Sequence, residues 1–246
     1  MLEAGLLSLL ILAVAVLYSS VGHGGASGYL AVLALFAVAP GQMAGTALVL
    51  NIAVSALALR AFRRSGYLNL KLTLPLVAVS IPLAFVGGLM KLSAPLYLLL
   101  LAFALVVAAV RIAVNAVGAT ASETRPARLA PALPAAALIG LLSGMIGIGG
   151  GIFLSPLLIF ARWATPKQSA ATAAAFIFLN SAAGLSARVA TGRLELMDSP
   201  LPLIAAIGGG LIGSRLGTTT YSSLTLRRVL AVVLLIAAAK AVQSAL

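Results

Sequence analysis

Gly147-Ile148-Gly149-Gly150-Gly151 breaks a long apolar stretch, and Gly22-His23-Gly24-Gly25-Ala26 breaks another 125 residues earlier. The two breaks head a longer correspondence whose spacing settles at 126 residues. Pro40-Gly41-Gln42 matches Pro166-Lys167-Gln168, Thr46 matches Thr172, and Ser55 matches Ser181. Gly66-Tyr67-Leu68 matches Gly192-Arg193-Leu194, and Gly87 matches Gly213. Landmarks in one order at near-constant spacing mark an internal repeat. Residues 1–117 form the first copy, 129–246 the second, and the polar stretch 118–128 joins them. Together they make one membrane domain.

Each copy reads as five apolar segments. They cover about 4–21, 26–39, 43–61, 72–90 and 94–115, then 129–146, 151–162, 167–187, 200–216 and 226–245. Most reach the roughly 20 residues that a helix needs to cross a hydrocarbon core of about 30 Å. The second segment of each copy is shorter and directly follows the glycines, so it enters the bilayer and stops or turns near mid-depth. The chain is 62% hydrophobic and only 8% charged, too few charges to make a water-facing surface. Lipid offers the backbone no hydrogen-bond partners, and no alternating strand pattern is present, so the segments are helices. The expected fold is all-α: a polytopic membrane protein of about 8–10 segments, built from two inverted-topology repeats with glycine-broken or re-entrant helices.

The net charge of +12 excludes little by itself. Its basic residues stand singly or in pairs at the ends of apolar runs, which is the pattern of membrane loops. Nucleic acid is therefore not an expected partner. If the copies are antiparallel, twelve of the sixteen Lys and Arg fall on one side; if parallel, they divide equally. The positive-inside rule selects antiparallel copies, with the central loop cytoplasmic and both termini outside. Without cysteine, thiol chemistry is excluded. All four acidic residues, Glu3, Glu123, Glu195 and Asp198, lie outside the apolar segments. This argues against an intramembrane enzyme acting on lipid phosphates, and no metal or other cofactor is expected.

Antiparallel repeats with broken helices are the build of many secondary transporters, with the substrate near the midplane between the copies. A helix N-terminus offers free amides and partial positive charge to an anion. The candidate binding positions are Gly22, His23, Gly24, Gly25, Ser27, Thr46 and Asn51 from the first copy, with Gly147, Gly149, Gly150, Gly151, Thr172, Asn180 and Ser181 from the second. Glycines four apart also suit close helix packing. Asn51 and Asn180 lie on the matched third segments and are expected to face one axis a turn apart. His23, the single histidine, titrates near neutral pH and is the candidate for proton coupling. Gln42 and Gln168, matched at the start of the third segments, read as end-caps or interface residues, not as ligands. A carrier and an anion channel share all these features.

The run Ser143-Gly144-Met145-Ile146-Gly147-Ile148-Gly149-Gly150-Gly151-Ile152-Phe153-Leu154-Ser155-Pro156 resembles the signature of the sulfite exporter TauE/SafE family, with a weaker copy at Ser20–Leu30. The 166–172 stretch and the Asn180-Ser181 pair fit the same pattern. The first copy has His23, Ala26 and Ser27 where the second has Ile148, Gly151 and Ile152, and Ala31 where the second has Pro156. The resemblance implies a cytoplasmic-membrane transporter that exports or takes up sulfite, thiosulfate or organosulfonates. The expected partners are a small anion and the lipid bilayer, with a homodimer left open.

Overall fold

A computed structural model describes residues 2–20, 24–114, 124–219 and 224–246. They form ten helices: α1 (Leu2–Ser20), α2 (Ala26–Leu35), α3 (Pro40–Arg64), α4 (Leu70–Leu89), α5 (Ala94–Val114), α6 (Leu129–Ile146), α7 (Gly151–Phe160), α8 (Pro166–Ala190), α9 (Leu201–Thr219) and α10 (Leu224–Ala245). No strand occurs among the described residues. Helices α1, α3, α4, α6 and α8 are long and apolar enough to cross a membrane. Helices α2 and α7 have ten residues each, about 15 Å of helix, or half a hydrocarbon core.

The boundaries follow local chemistry. Prolines begin α3 and α8, where a missing N–H costs nothing. The Thr165 hydroxyl accepts from the Gln168 amide, and the Gln168 side chain accepts from the Thr165 amide. That capping box gives Gln168 its end-cap role. The apolar run through Ala39 suggests a longer second segment, but α2 ends at Leu35. There Ala37 adopts a left-handed φ of 55° and Lys240 of α10 donates to the Leu35 carbonyl at 2.6 Å.

Small residues bring the long helices together. A side chain at Gly213 of α9 would strike the Val16 carbonyl of α1, and one at Gly87 of α4 would strike the Leu141 carbonyl of α6. These are the same contact made once in each pairing, because Gly87 matches Gly213 and Val16 matches Leu141 in the repeat. The central pair is α3 and α8. Leu48 lies beside Gly184, while Phe62 clusters with Ala170, Ala171 and Ala174. Residue numbers rise along one helix as they fall along the other, so α3 and α8 are antiparallel. Helix α4 runs parallel to α8, joined by Thr73–Thr172 at 3.0 Å and Ser80–Asn180 at 2.9 Å. Since α3 and α8 are matched helices, their opposed directions are consistent with inverted copies.

Candidate functional site

The glycine breaks form the N-termini of the two short helices. Gly25 caps α2 with φ 96°, and Gly150 caps α7 with φ 81°; neither helix has a side-chain cap. Both are left-handed conformations that glycine adopts without steric cost. The first-turn amides of such helices have no acceptor within the helix.

Both breaks meet the same side chains. A methyl group added at Gly24 would lie 2.9 Å from Ile177 Cγ2 and 3.1 Å from Asn51 Oδ1. One added at Gly149 would lie 2.8 Å from Ile177 Cγ2, 3.1 Å from Asn51 Nδ2 and 3.2 Å from Ser181 Oγ. Gly24 and Gly149 are matched in the repeat, as are Asn51 and Ile177, and Ser55 and Ser181. The structure thus gathers Gly24, Gly149, Asn51, Ser55, Ile177 and Ser181 at one junction between α3 and α8. Ile177 also abuts Gly151. Asn51, Ser55 and Ser181 are completely buried, so these side chains are closed off from solvent in this conformation.

The polar atoms are unequally satisfied. Asn51 Nδ2 donates to the Gly147 carbonyl at 3.3 Å, and the Ser55 hydroxyl donates to the Asn51 carbonyl at 2.5 Å. Asn51 Oδ1 and Ser181 Oγ have no partner among the described residues. An orphaned buried polar atom carries a desolvation cost of about 1–3 kcal/mol, so the junction retains unused hydrogen-bonding capacity. The Ser181 hydroxyl is a donor suited to an anion.

The other candidate residues sit elsewhere. Ser27 pairs with Tyr18 at 2.7 Å and ties α2 to α1. Thr46 accepts from the Met197 amide at 3.1 Å, and Thr172 pairs with Thr73. Gly147, left-handed at φ 85°, ends α6 against Ala44. Asn180 turns toward α4, where its Oδ1 accepts from Ser80 and its Nδ2 has no partner among the described residues. It is therefore Ser181, a residue further round the helix, that shares the junction with Asn51. Gly22 and His23 lie outside the described residues.

Two residues of the surroundings carried no earlier functional reading. Ile177 occupies the position matched to Asn51, and an isoleucine in an apolar run gives no chemical signal. Arg188 is only 9% exposed. It donates to the Gly144 and Met145 carbonyls at 3.4 and 3.0 Å, while Tyr97 donates to the Ile146 carbonyl at 3.1 Å. With Gly147 N–H on Ser143 and Asn51 on Gly147, the carbonyls that end α6 inside the protein are all engaged. A cation at a helix C-terminus also opposes the negative end of its dipole. The break after α6 is thus held rigidly, with its carbonyls turned to Arg188 and Tyr97 and the α7 N-terminus turned to the junction.

A polytopic helical bundle whose half-length helices start at one buried polar junction belongs to the class of membrane transporters. The family profile for the sulfite exporter TauE/SafE matches residues 7–241, and the chain belongs to that family. It is 35% identical over 241 residues to a "Probable membrane transporter protein y4hK" of Sinorhizobium fredii, covering 97% of this chain and 98% of that protein. No solved structure matches the chain.

Proposed function

We propose that the protein is a secondary transporter, acting as an exporter, of small sulfur-containing anions such as sulfite, thiosulfate or organosulfonates. The observation that carries the proposal is the meeting of two glycine-capped helix N-termini at Asn51 and Ser181, whose buried oxygens lack partners among the described residues. In this reading residues 1–117 and 129–246 are inverted copies, and the anion sits between them. The substrate displaces the Ile177 side chain from between Gly24 and Gly149. It then accepts hydrogen bonds from the Ser181 hydroxyl, the Asn51 amide and the first-turn amides of α2 and α7. Neutral donors suit this depth, where an unpaired cation is costly. The family description as a sulfite exporter supports the substrate class and the direction. Alternating access follows if the copies rock about the fixed junction.

His23 is proposed as the proton-coupling group, on the ground that it is the single histidine of the sequence and belongs to the first break. The test is flux in liposomes of purified protein, using sulfite, thiosulfate and sulfoacetate with and without a pH gradient. The expected result is saturable flux stimulated by the gradient in wild type. His23→Ala should retain flux but lose the stimulation. Flux that rises linearly without saturation would identify a channel, absence of flux with all three anions would reject the substrate class, and unchanged stimulation in His23→Ala would reject the coupling role.

A further inference from the structure

A groove of about 440 Å³ opens on the α3–α8 seam, lined by Ala56, Leu59, Arg60, Arg63, Arg64 and Phe178. We infer that it binds one anionic phospholipid, the arginines holding the phosphate headgroup and Ala56, Leu59 and Phe178 receiving the upper acyl chain. The three arginines stand at spacings of three and four, so they share one face of α3. All are exposed. None has an ion-pair partner among the described residues, and Glu195 lies against Gly41 at the opposite end of α3. From Ala56 to Arg64 the helix rises about 12 Å, close to the depth of one hydrocarbon leaflet. Charge is thus confined to the mouth and apolar surface to the part at membrane depth, which matches an amphiphile and does not match a free inorganic anion.

Orientation by the positive-inside rule accounts for basic residues near this end of α3, but it demands no particular face and no apolar floor. Guanidinium groups also bind phosphate bidentately, and basic pockets between membrane helices bind anionic headgroups. The groove lies on a different face of α3 from Asn51, so the inference is independent of the transported substrate.

The test is native mass spectrometry of the full chain in micelles containing equal phosphatidylglycerol and phosphatidylcholine. Wild type should retain phosphatidylglycerol selectively. Arg63→Gln should weaken retention about fivefold. Leu59→Asn and Ala56→Trp, which alter only the floor, should reduce it as well, with an unchanged thermal transition confirming the fold of each. Equal retention of the two lipids by wild type would overturn the inference. So would full retention in both floor variants, or displacement of the lipid by inorganic phosphate, since each would leave only a diffuse charge effect or a small-anion site.

Discussion

In the proposed function, Asn51 and Ser181 are where residue chemistry bears most directly on transport. Each is completely buried and each has an oxygen with no partner among the described residues. Stability alone would favour an apolar residue at Ser181, whereas Asn51 also satisfies the Gly147 carbonyl through its Nδ2. Ser181→Ala should therefore leave the folded state at least as stable as wild type, and more stable by up to about 1–3 kcal/mol, because it removes an orphaned buried hydroxyl and no hydrogen bond among the described residues. The same variant should raise the half-saturation concentration for the anion about 10- to 100-fold, the worth of one hydrogen bond to a charged partner. Thermal unfolding and concentration-dependent flux check the two halves of this expectation, and an unchanged half-saturation concentration would remove Ser181 from the site. Part of this junction is legible in the sequence. The glycines announce themselves because chain breaks in lipid need them, and Asn51 does so because an amide at that depth needs partners. The choice between Asn180 and Ser181 is not legible. One residue rotates a helical side chain by about 100°, and only the packing of α4 on α8 decides which of the two faces inward. Arg188 reads as a helix-end charge until its carbonyl partners on α6 are seen.

At the scale of elements, the repeat predicts equal consequences for matched substitutions. Gly87→Leu and Gly213→Leu each drive a side chain into a backbone carbonyl of the neighbouring helix, Leu141 in one case and Val16 in the other. Neither obstruction is a flexible side chain, so the helices must separate. Each variant should lose roughly 1–3 kcal/mol of stability, read as matched drops in thermal transition in detergent. A large loss in one and none in the other would show that the two pairings are not equivalent. Helix positions were readable because hydrophobic length and the Pro and Gly boundaries are local signals. The segment 129–146 coincides with α6. The end of α2 was not readable, because the left-handed turn at Ala37 and the Lys240 contact from α10 depend on tertiary structure. Opposed directions of α3 and α8 were anticipated from charge, and the contacts of Leu48 and Phe62 give them geometrically.

At the scale of the whole molecule, the proposed transport function rests on an inverted build. If the copies are inserted in opposite directions, matched helices cross the bilayer in opposite senses, and the short helices approach the junction from opposite leaflets with both N-termini inward. Parallel copies would point both termini the same way and offer an anion one amide cluster, not two. The same inversion would gather twelve of the sixteen basic residues on one side, the side on which the positive-inside rule places the cytoplasm. Ser65 and Thr191 are matched residues, exposed at the C-terminal ends of α3 and α8, and the chain has no cysteine of its own. The most direct measurement is labelling of Ser65→Cys and Thr191→Cys in intact cells with a membrane-impermeant maleimide. Thr191→Cys should react from outside and Ser65→Cys only after permeabilisation; reaction of both from the same side would contradict the account.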